Sequence, residues 1–273
     1  MDINSNKINQ LLQMKKLYKI RIAKKDDKKR TYAIPNPALK AFHREFNDLL
    51  QKLEKPAYLH SGYKGSSYIN AVKVHQQSKL LVKVDIANFY QSTKKKYIKD
   101  FIITEFHCSE ELAEQLCSLL TYNARIPTGS PCAMLLSFWA YKQVFDEIYD
   151  FAKEKGLLMT LFADDITFSG DKFNPKEIIS FTEKKLQSAG LRLNHHKIKV
   201  LRKKRVMMNI HINKKNKLRI SNSLGYSVIK ILKTHKIEEL DEKTKQILLG
   251  KIASVQQIEP QKFAFIKKFL TTT

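Results

Sequence analysis

Hydrophobic residues recur every three to four positions in several stretches of the chain, a spacing typical of one buried face of an α-helix. The first stretch follows Pro37 and runs to Leu53. Ser109 is the expected N-cap of the next helix, and Gly190 is expected to end another. The same spacing predicts helices at residues 109–120, 133–152, 175–189, 224–234, 241–256 and 260–270.

Apolar runs of a different kind predict the strands. Lys79–Asp85 is typical of one strand, and Leu157–Phe168 of two strands joined at Ala163-Asp164-Asp165. Val206–Ile212 and Lys217–Ile220 are expected to form a hairpin. Helices and strands alternate without the fixed period of a repeat protein. The pattern therefore predicts an α+β fold.

The composition agrees with a folded chain. Of its 273 residues, 43% are hydrophobic and 28% are charged, which is typical of globular proteins. The length allows one large domain or two modest ones. No stretch approaches the roughly 18 apolar residues of a membrane span, and the first residues lack the apolar core of a signal peptide. We therefore expect no membrane association.

The three cysteines, Cys108, Cys117 and Cys132, are too few and too scattered for a disulfide framework or a zinc site. Small buried hydrophobic side chains are the expected role for such cysteines. Together with the missing signal peptide, this cysteine usage predicts a reduced, cytoplasmic protein.

Positive charge is abundant and unevenly placed. Lys and Arg total 50 against 26 Asp and Glu, a net charge of +24. Residues 191–236 contain 14 Lys and Arg and no Asp or Glu, and the first thirty residues contain 10 Lys and Arg. A phosphate backbone is the simplest counter-charge for such segments. A solvated lysine-rich surface is the alternative.

The Asp164-Asp165 pair stands between two apolar strands. Adjacent carboxylates in such a half-buried setting are costly unless a cation compensates them, whereas Asp26-Asp27 lies among lysines and needs only a turn. Asp85 ends another apolar strand, so two neighbouring strands would bring it close to Asp164. Oxygen ligands favour a hard divalent cation. A hairpin turn with Asp bonding its own backbone is the alternative.

Three carboxylates on a sheet, combined with a basic channel, predict phosphoryl transfer assisted by two metal ions. In such chemistry one ion activates a 3′-hydroxyl, and the other holds a triphosphate and its leaving pyrophosphate. Positioning and electrostatics then supply most of the rate, and no nucleophilic side chain is required.

Six motifs in order resemble those of bacterial reverse transcriptases, most closely the retron type. They cover roughly residues 20–235. They are the basic segment Lys24–Arg30 with AIPNPALKAF, Asn70-Ala71 followed by His75, VDIANFYQS at Val84–Ser92, IPTGSP at Ile126–Pro131, FADD at Phe162–Asp165, and Gly190-Leu191 with Asn194 and Lys197.

The resemblance implies a right-hand polymerase architecture. Residues 1–78 would form an N-terminal segment and the fingers. Residues 79–205 would form the palm, an antiparallel sheet with helices, with part of the fingers at 93–125. Residues 206–273 would form the palm–thumb connection and a small helical thumb that grips a duplex by shape.

The resemblance also assigns the catalytic metal site. Asp85 and Asp164 would bind two Mg²⁺ ions, with Mn²⁺ as an alternative metal, and Asp165 would support or ligate them. The carbonyl of Ile86 would complete the coordination of one ion. These three aspartates would be the catalytic residues.

For the incoming dNTP, the resemblance implies contacts from four elements. Lys25 and Arg30 would hold the triphosphate, Arg30 through its forked guanidinium. Tyr90 would exclude a ribose 2′-hydroxyl by steric clash, Gly129 would allow close approach of the backbone, and Lys197 would lie near the phosphates. The alternatives are a basic turn, a core aromatic residue, an ordinary turn and a surface lysine.

RNA contacts are expected from the polar motif before the first palm strand and from the basic hairpin region. For Asn70 and His75, a buttressing or capping role is the alternative. The expected RNA-binding residues are Asn70, His75, Lys203, Lys204, Arg205, Lys214, Lys215, Lys217 and Arg219.

Several sites depart from the family pattern, and at one of them Cys132-Ala133-Met134 replaces the usual small-and-proline continuation. Phe162 replaces the tyrosine usual before ADD, which keeps the ring and removes a hydroxyl. Thr128 stands where many relatives have Gln. Met207-Met208-Asn209 occupies the place of the retron Val-Thr-Gly motif.

The resemblance implies an RNA-directed DNA polymerase that copies part of a cognate noncoding RNA into single-stranded DNA (msDNA). Priming from an RNA 2′-hydroxyl and anti-phage defence beside an effector protein encoded nearby are also implied. The alternatives are another bacterial reverse transcriptase, of the diversity-generating, abortive-infection or degenerate intron kind, and a catalytically silent RNA-binding scaffold or antitoxin.

Overall fold

Helices and strands alternate along the chain, which confirms the predicted α+β class. The computed structural model describes residues 5–25, 28–202, 205–234 and 240–272. Within these ranges it has twelve α-helices and nine strands, and the strands form three antiparallel sheets.

The basic N-terminal part is a helix followed by a hairpin, for which the hydrophobic pattern predicts no helix or strand. Helix α1 (Ser5–Leu12) buries Ile8 and Leu11. Strands β1 (Tyr18–Lys25) and β2 (Lys28–Pro35) pair along their whole length. The segment Asp26–Asp27 lies outside the described residues.

Helix α2 (Pro37–Lys52) confirms the first predicted helix. Asn36 caps it by accepting a hydrogen bond from the backbone N–H of Leu39 at 2.8 Å, and Pro37 occupies a first-turn position that needs no N–H donor. The buried face of the helix joins the main hydrophobic core.

A four-stranded sheet in the order β4-β5-β3-β6 lies at the centre of the molecule. Its strands are β3 (Leu80–Asp85), β4 (Leu158–Phe162), β5 (Asp165–Gly170) and β6 (Lys199–Leu201). Helices pack around it to form the main core. They are α4 (Phe89–Ser92), α5 (Lys95–Phe106), α6 (Glu110–Leu120), α7 (Ala133–Ala140), α8 (Lys142–Glu154) and α9 (Pro175–Ser188). Helix α3 (Tyr68–Val74) packs beside β4, and its Ile69 and Val72 belong to a second apolar cluster.

The predicted helix at 133–152 is wrong as a single element, because the chain breaks at Tyr141. That residue leaves helical geometry at φ −122° and ψ 15°, and its side chain is buried. Its ring packs against Phe89 and Tyr97, and its hydroxyl donates to the carbonyl of Ser92 at 3.3 Å. Contacts with distant residues therefore place the break.

A second sheet of three short strands follows the central sheet. It contains β7 (Arg205–Met207), β8 (Ile210–Ile212) and β9 (Leu218–Ile220). The predicted strand at 206–212 is thus two strands. Met208 (φ 47°) and Asn209 (φ 63°) form the two-residue turn between them, and paired positive φ values suit the twist of a tight hairpin.

Three C-terminal helices confirm the predicted helical tail. They are α10 (Asn222–Thr234), α11 (Glu242–Gln256) and α12 (Ala264–Thr272), and α12 starts four residues later than expected. They share a separate apolar cluster that includes Val228, Leu248 and Ile252. No helix in the described ranges is both long and apolar enough to cross a bilayer.

The three cysteines are free thiols. Cys117 and Cys132 are fully buried, as expected of small hydrophobic residues, and Cys108 is partly buried.

Candidate active site

Two aspartates face each other where two central strands meet. Asp85 is the last residue of β3, and the antiparallel register places it opposite Asp165, the first residue of β5. Asp164 lies in the turn between β4 and β5, and its carbonyl accepts a hydrogen bond from the N–H of Ile86 at 2.8 Å. The three acidic residues therefore share one corner of the sheet, which we call the carboxylate corner.

The turn that presents Asp164 is held from outside the sheet. Ala163 has a positive φ of 55°, and its N–H donates to the buried Ser61 hydroxyl at 2.8 Å. Nearby, the backbone N–H of Leu161 donates to the carbonyl of Tyr58, and the backbone N–H of His60 donates to the carbonyl of Leu161. The segment 58–61 therefore fixes the position of Ala163 and Asp164.

Asp85 is paired with a lysine. Its side chain is only 8% exposed, and its Oδ1 accepts a hydrogen bond from Lys197 Nζ at 2.7 Å. Lys197 ends a 3₁₀ turn (His195–Lys197), and the backbone N–H of Asn194 donates to the Asp85 carbonyl at 2.8 Å. The hydrogen bond to Asp85 raises the pKa of Lys197, so the lysine is charged at neutral pH.

The other two carboxylates are held in an unfavourable electrostatic setting. Burial, followed by the negative charge of Asp85, raises the pKa of Asp164. Burial also raises the pKa of Asp165, which Lys83 at 3.7 Å partly opposes. Three like charges at one partly buried corner favour a positively charged ligand.

The corner fits a hard divalent cation in its donor chemistry, since all three side chains offer carboxylate oxygens. The expected cluster of metal-ligating side chains is nevertheless not assembled: across the described ranges, no three His, Cys, Asp or Glu side chains are grouped to hold an ion. In this structure Asp85 pairs with Lys197, and Asp165 lies 3.7 Å from Lys83. Two lysines supply the positive charge in this conformation.

Tyr90 lies beside this corner on the short helix α4. Its side chain is partly buried and its ring lies 5.9 Å from that of Phe89. Burial and the nearby charge of Asp164 raise the pKa of its hydroxyl to about 12. The helix starts after Asn88, whose left-handed conformation (φ 49°) turns the chain directly after β3. Of the residues expected to contact a nucleotide, Tyr90 and Lys197 are therefore placed next to the carboxylates.

Gly129 makes its close approach to another strand. A Cβ at this position would lie 2.7 Å from the Ala33 carbonyl of β2. The close contact expected with a nucleotide or template is thus, in this structure, a contact with the β1–β2 hairpin. It fixes the 126–131 loop against the hairpin.

A buried hydrogen-bond chain, which the motifs do not reveal, holds the same loop. His43 Nε2 donates to the carbonyl of Leu119 at 2.9 Å, so Nδ1 accepts from the Ser130 hydroxyl at 2.8 Å. Burial lowers the pKa of His43, which keeps the ring neutral. Ser130 in turn lies 3.1 Å from the Cys132 sulfur.

Two cavities are lined in part by residues close in sequence to the carboxylates. One, of about 340 Å³, lies between α4, β2 and the 126–131 loop and is lined by Asn88, Gln91, Arg125 and Thr128 among others. The other, of about 510 Å³, lies beside Phe162 and is lined by Tyr68, Met208, Asn209, Ser223, Leu224 and Ser227. The Met208–Asn209 turn is therefore a neighbour of the FADD hairpin.

The expected RNA-binding role of His75 is wrong, since its side chain is fully buried. Its Nδ1 and Nε2 lie 2.6 Å from the Ser169 hydroxyl and 2.8 Å from the Thr160 hydroxyl. Burial lowers the pKa of His75 to about 3. His75 therefore bonds to both β4 and β5 and supports the sheet, which agrees with the alternative, buttressing role.

The expected RNA contact by Arg205 is also wrong. Arg205 is 6% exposed, and its guanidinium donates to the carbonyls of Ser78 and Asn213 and to Asn216 Oδ1. These bonds fasten the β8–β9 connection to the end of α3, and they leave the side chain no surface for RNA.

The remaining candidate side chains for RNA or nucleotide binding form two groups, those that the structure describes and those that it does not. Asn70, Lys214, Lys215, Lys217 and Arg219 are exposed. Lys203 and Lys204 lie outside the described residues, as do the side chains of Lys25 and Arg30. The hairpin register places the backbone of Lys25 opposite Lys28, and that of Arg30 opposite Ala23.

Comparison with protein families matches residues 22–238 to the family described as "Reverse transcriptase (RNA-dependent DNA polymerase)". The Retron Se72 reverse transcriptase of Salmonella heidelberg (strain 579083-10) is 30% identical over 149 residues, which are 54% of this chain and 39% of that protein. The Retron Ec83 reverse transcriptase of Escherichia coli is 24% identical over 275 residues, covering 93% of this chain and 85% of that one. The chain thus spans less than half of the first relative and most of the second.

Solved structures resemble the whole architecture at low identity. Apo telomerase from Candida tropicalis superposes with a TM-score of 0.58 at 11% identity, covering 92% of this chain and 59% of that one. A foamy viral protease-reverse transcriptase in complex with double-stranded DNA gives a TM-score of 0.52 at 15% identity, covering 88% of this chain and 36% of that one.

Proposed function

Because this chain belongs to the reverse transcriptase (RNA-dependent DNA polymerase) family, we propose that it is an RNA-directed DNA polymerase of the retron type. Its resemblance to retron enzymes is confirmed by the curated relatives, and its fold is that of the right-hand polymerases. The observation that carries the proposed activity is the carboxylate corner, where Asp85 and Asp165 lie in register and Asp164 lies in the adjoining turn.

In this proposal, the carboxylate corner holds the divalent cations on which the family generally depends. Asp85, Asp164 and Asp165, with the Ile86 carbonyl, would hold two Mg²⁺ ions, and Mn²⁺ would serve as a substitute. Bound ions would lower the pKa of the attacking 3′-hydroxyl and neutralise the leaving pyrophosphate. Cations at this corner would relieve the repulsion that raises the pKa values of Asp164 and Asp165.

Other residues would then bind or position the incoming nucleotide. Lys197 would exchange its bond with Asp85 for one with the triphosphate, and its flexible, 58% exposed side chain supports this role. Tyr90 would exclude the ribose 2′-hydroxyl from beneath the sugar. Lys25 and Arg30 would bind the phosphates from the β1–β2 hairpin. Gly129 would position the 126–131 loop against that hairpin.

The larger domain assignment follows from the same proposal. Residues 1–78 and 93–125 would form the fingers, the rest of 79–205 the palm, and 206–273 the connection and thumb. The separate apolar cluster of α10, α11 and α12 supports a thumb that packs as its own unit.

The substrate would be a structured noncoding RNA, and the product single-stranded DNA primed from an RNA 2′-hydroxyl. RNA would be bound in part by Asn70, Lys203, Lys204, Lys214, Lys215, Lys217 and Arg219. The net charge of +24 supports a polyanionic partner. An effector protein, a role in anti-phage defence and a cytoplasmic location complete the proposal, by analogy with retron relatives.

The proposal is tested by primer extension. The full chain is incubated with an RNA template, an annealed DNA primer, dNTPs and either Mg²⁺ or EDTA. The expected result is RNA-templated DNA in Mg²⁺ and none in EDTA. Tight RNA binding without nucleotide incorporation in Mg²⁺ or Mn²⁺ would overturn the proposal in favour of a silent RNA-binding scaffold.

A further inference from the structure

A large open groove lies apart from the carboxylate corner. Its volume is about 710 Å³, the largest among the cavities described. It is lined by Lys73 of α3, by residues 217–219 at the start of β9 and by the connection 257–262 between α11 and α12. We call it the basic groove. None of Asp85, Asp164 or Asp165 lines it.

Four cationic side chains and one carboxylate meet in the basic groove. The cations are Lys73, Lys217, Arg219 and Lys262, and the carboxylate is Glu259. They come from parts of the chain that are far apart in sequence, so folding brings these like charges together. Such convergence is unfavourable without a counter-ion, and it favours an anionic ligand.

Glu259 does not neutralise the groove. Its side chain is 15% exposed, and Oε1 accepts a hydrogen bond from the backbone N–H of Ile220 at 3.0 Å. Oε2 lies 3.4 Å from Lys262 Nζ and 3.9 Å from Arg219 Nη1. The carboxylate therefore orients two of the cations, while Lys73 and Lys217 have no carboxylate partner among the described residues.

The walls of the groove are rigid. Ile69 and Val72 of α3 pack with Met207, Ile210 and Ile212 of the small sheet, and the partly buried Leu218 and Ile258 join this cluster. A second set of contacts fastens the turn before Lys217, where Gln76 Nε2 donates to the Asn216 carbonyl at 2.6 Å and Asn216 Nδ2 donates to Gln77 Oε1 at 2.8 Å. The cations are therefore mounted on packed elements.

The lining distinguishes between kinds of polyanion. It contains no aromatic side chain on which an unpaired base could stack, whereas sites for single strands depend on such stacking. It does contain the amides of Gln257 and Gln261, which can bond ribose 2′-hydroxyls. Cations and amides without aromatic rings suit a double-helical backbone recognised by shape.

We propose that the basic groove binds the phosphodiester backbone of double-helical RNA. This inference rests on the proposed function, because it identifies a folded part of the template RNA as the ligand. A duplex in the groove would be held separately from the strand that is copied at the carboxylate corner. Lys73 and Lys262, which no motif marks, would contribute as directly as Lys217 and Arg219.

The test measures RNA binding by fluorescence anisotropy over a range of salt concentrations. The probes are an RNA hairpin of about 16 base pairs and a single strand of equal length. The test variant of the full chain is Lys73→Gln/Lys262→Gln. The control variant is Lys153→Gln/Lys184→Gln, which removes two exposed lysines from α8 and α9.

The groove variant is expected to bind the hairpin about tenfold more weakly, with a log–log salt slope smaller by about two. The control variant should bind like the wild type, and single-strand binding should change little in either. Equal hairpin binding by the groove variant and the wild type, or equal losses in both variants, would overturn the inference. Failure of the proposed function is read separately, as absence of primer extension by the wild type.

Discussion

The bond between Lys197 and Asp85 leads to a prediction about metal affinity. If Asp85 is a cation ligand, a divalent ion must displace the lysine, whose Nζ lies 2.7 Å from Asp85 Oδ1. The substitution Lys197→Met keeps the unbranched shape of the side chain, shortens it by one atom and removes its charge. It should therefore strengthen the binding of the first divalent ion in the absence of nucleotide.

The size of the effect follows from the exposure of the two partners. Asp85 is 8% exposed, but Lys197 is 58% exposed, so solvent screens the pair from one side. Hydrogen bonds between charged groups contribute about 1.5–3 kcal/mol, and exposed ion pairs about 0.2–1 kcal/mol. An intermediate value of about 1–2 kcal/mol corresponds to an affinity about 5–30 times higher in the variant.

Calorimetric titration with Mn²⁺ measures this change. Lys199→Met is the matched control, because Lys199 is also exposed and lies two residues further along the chain. The control should bind Mn²⁺ like the wild type. Unchanged or weaker Mn²⁺ binding by Lys197→Met would refute the reasoning, since the lysine would then not compete with a cation for Asp85.

His75, Gly129 and Tyr90 give three more predictions. The pKa of His75 is about 3 in the folded chain, against 6.5 for an exposed histidine. Its contribution to the free energy of unfolding is therefore fully present above pH 6.5 and is lost as the pH falls towards 3. Urea denaturation should show a loss of up to about 1.4 kcal/mol per pH unit in that window, and His75→Gln should lack this contribution. Gly129→Ala should lower the free energy of unfolding by about 1–3 kcal/mol because its Cβ would meet the Ala33 carbonyl, whereas Gly250→Ala, in open space, should not destabilise. Tyr90→Ala should raise ribonucleotide incorporation relative to dNTPs by about tenfold or more in primer extension, and Tyr90→Phe should not; equal ratios in all three proteins would contradict the steric role.

The carboxylate corner could be predicted because its chemistry is local in sequence. Apolar strand residues flank Asp164 and Asp165, and that cost is visible without a structure. The pairing register of β3 and β5 was harder to predict from the sequence. The sequence predicts that Asp85 lies close to Asp164, and the structure agrees, since the N–H of Ile86 donates to the Asp164 carbonyl. It does not predict that Asp165 is the residue opposite Asp85 and that Asp164 lies in the turn.

The errors concern residues whose partners are distant in sequence. His75 bonds to Ser169, 94 residues away, and Arg205 bonds to Ser78, 127 residues away. A polar residue in a basic segment looks exposed until such partners are known. The turn at Met208–Asn209 escaped detection for a different reason, because no glycine marks its positive φ values.

The central claim is that Asp85, Asp164 and Asp165 act together on the reacting phosphate. Single-turnover primer extension on an RNA template, with Asp164→Asn and Asp85→Asn compared with the wild type, tests it most directly. Asp171→Asn is the control, since this carboxylate is 68% exposed and pairs with Lys79 at 3.6 Å. We predict a loss of at least about a hundredfold for the first two variants, as expected when several kcal/mol of charge stabilisation are removed, and no loss for the control. A folded Asp164→Asn variant that extends the primer at the wild-type rate would contradict the claim.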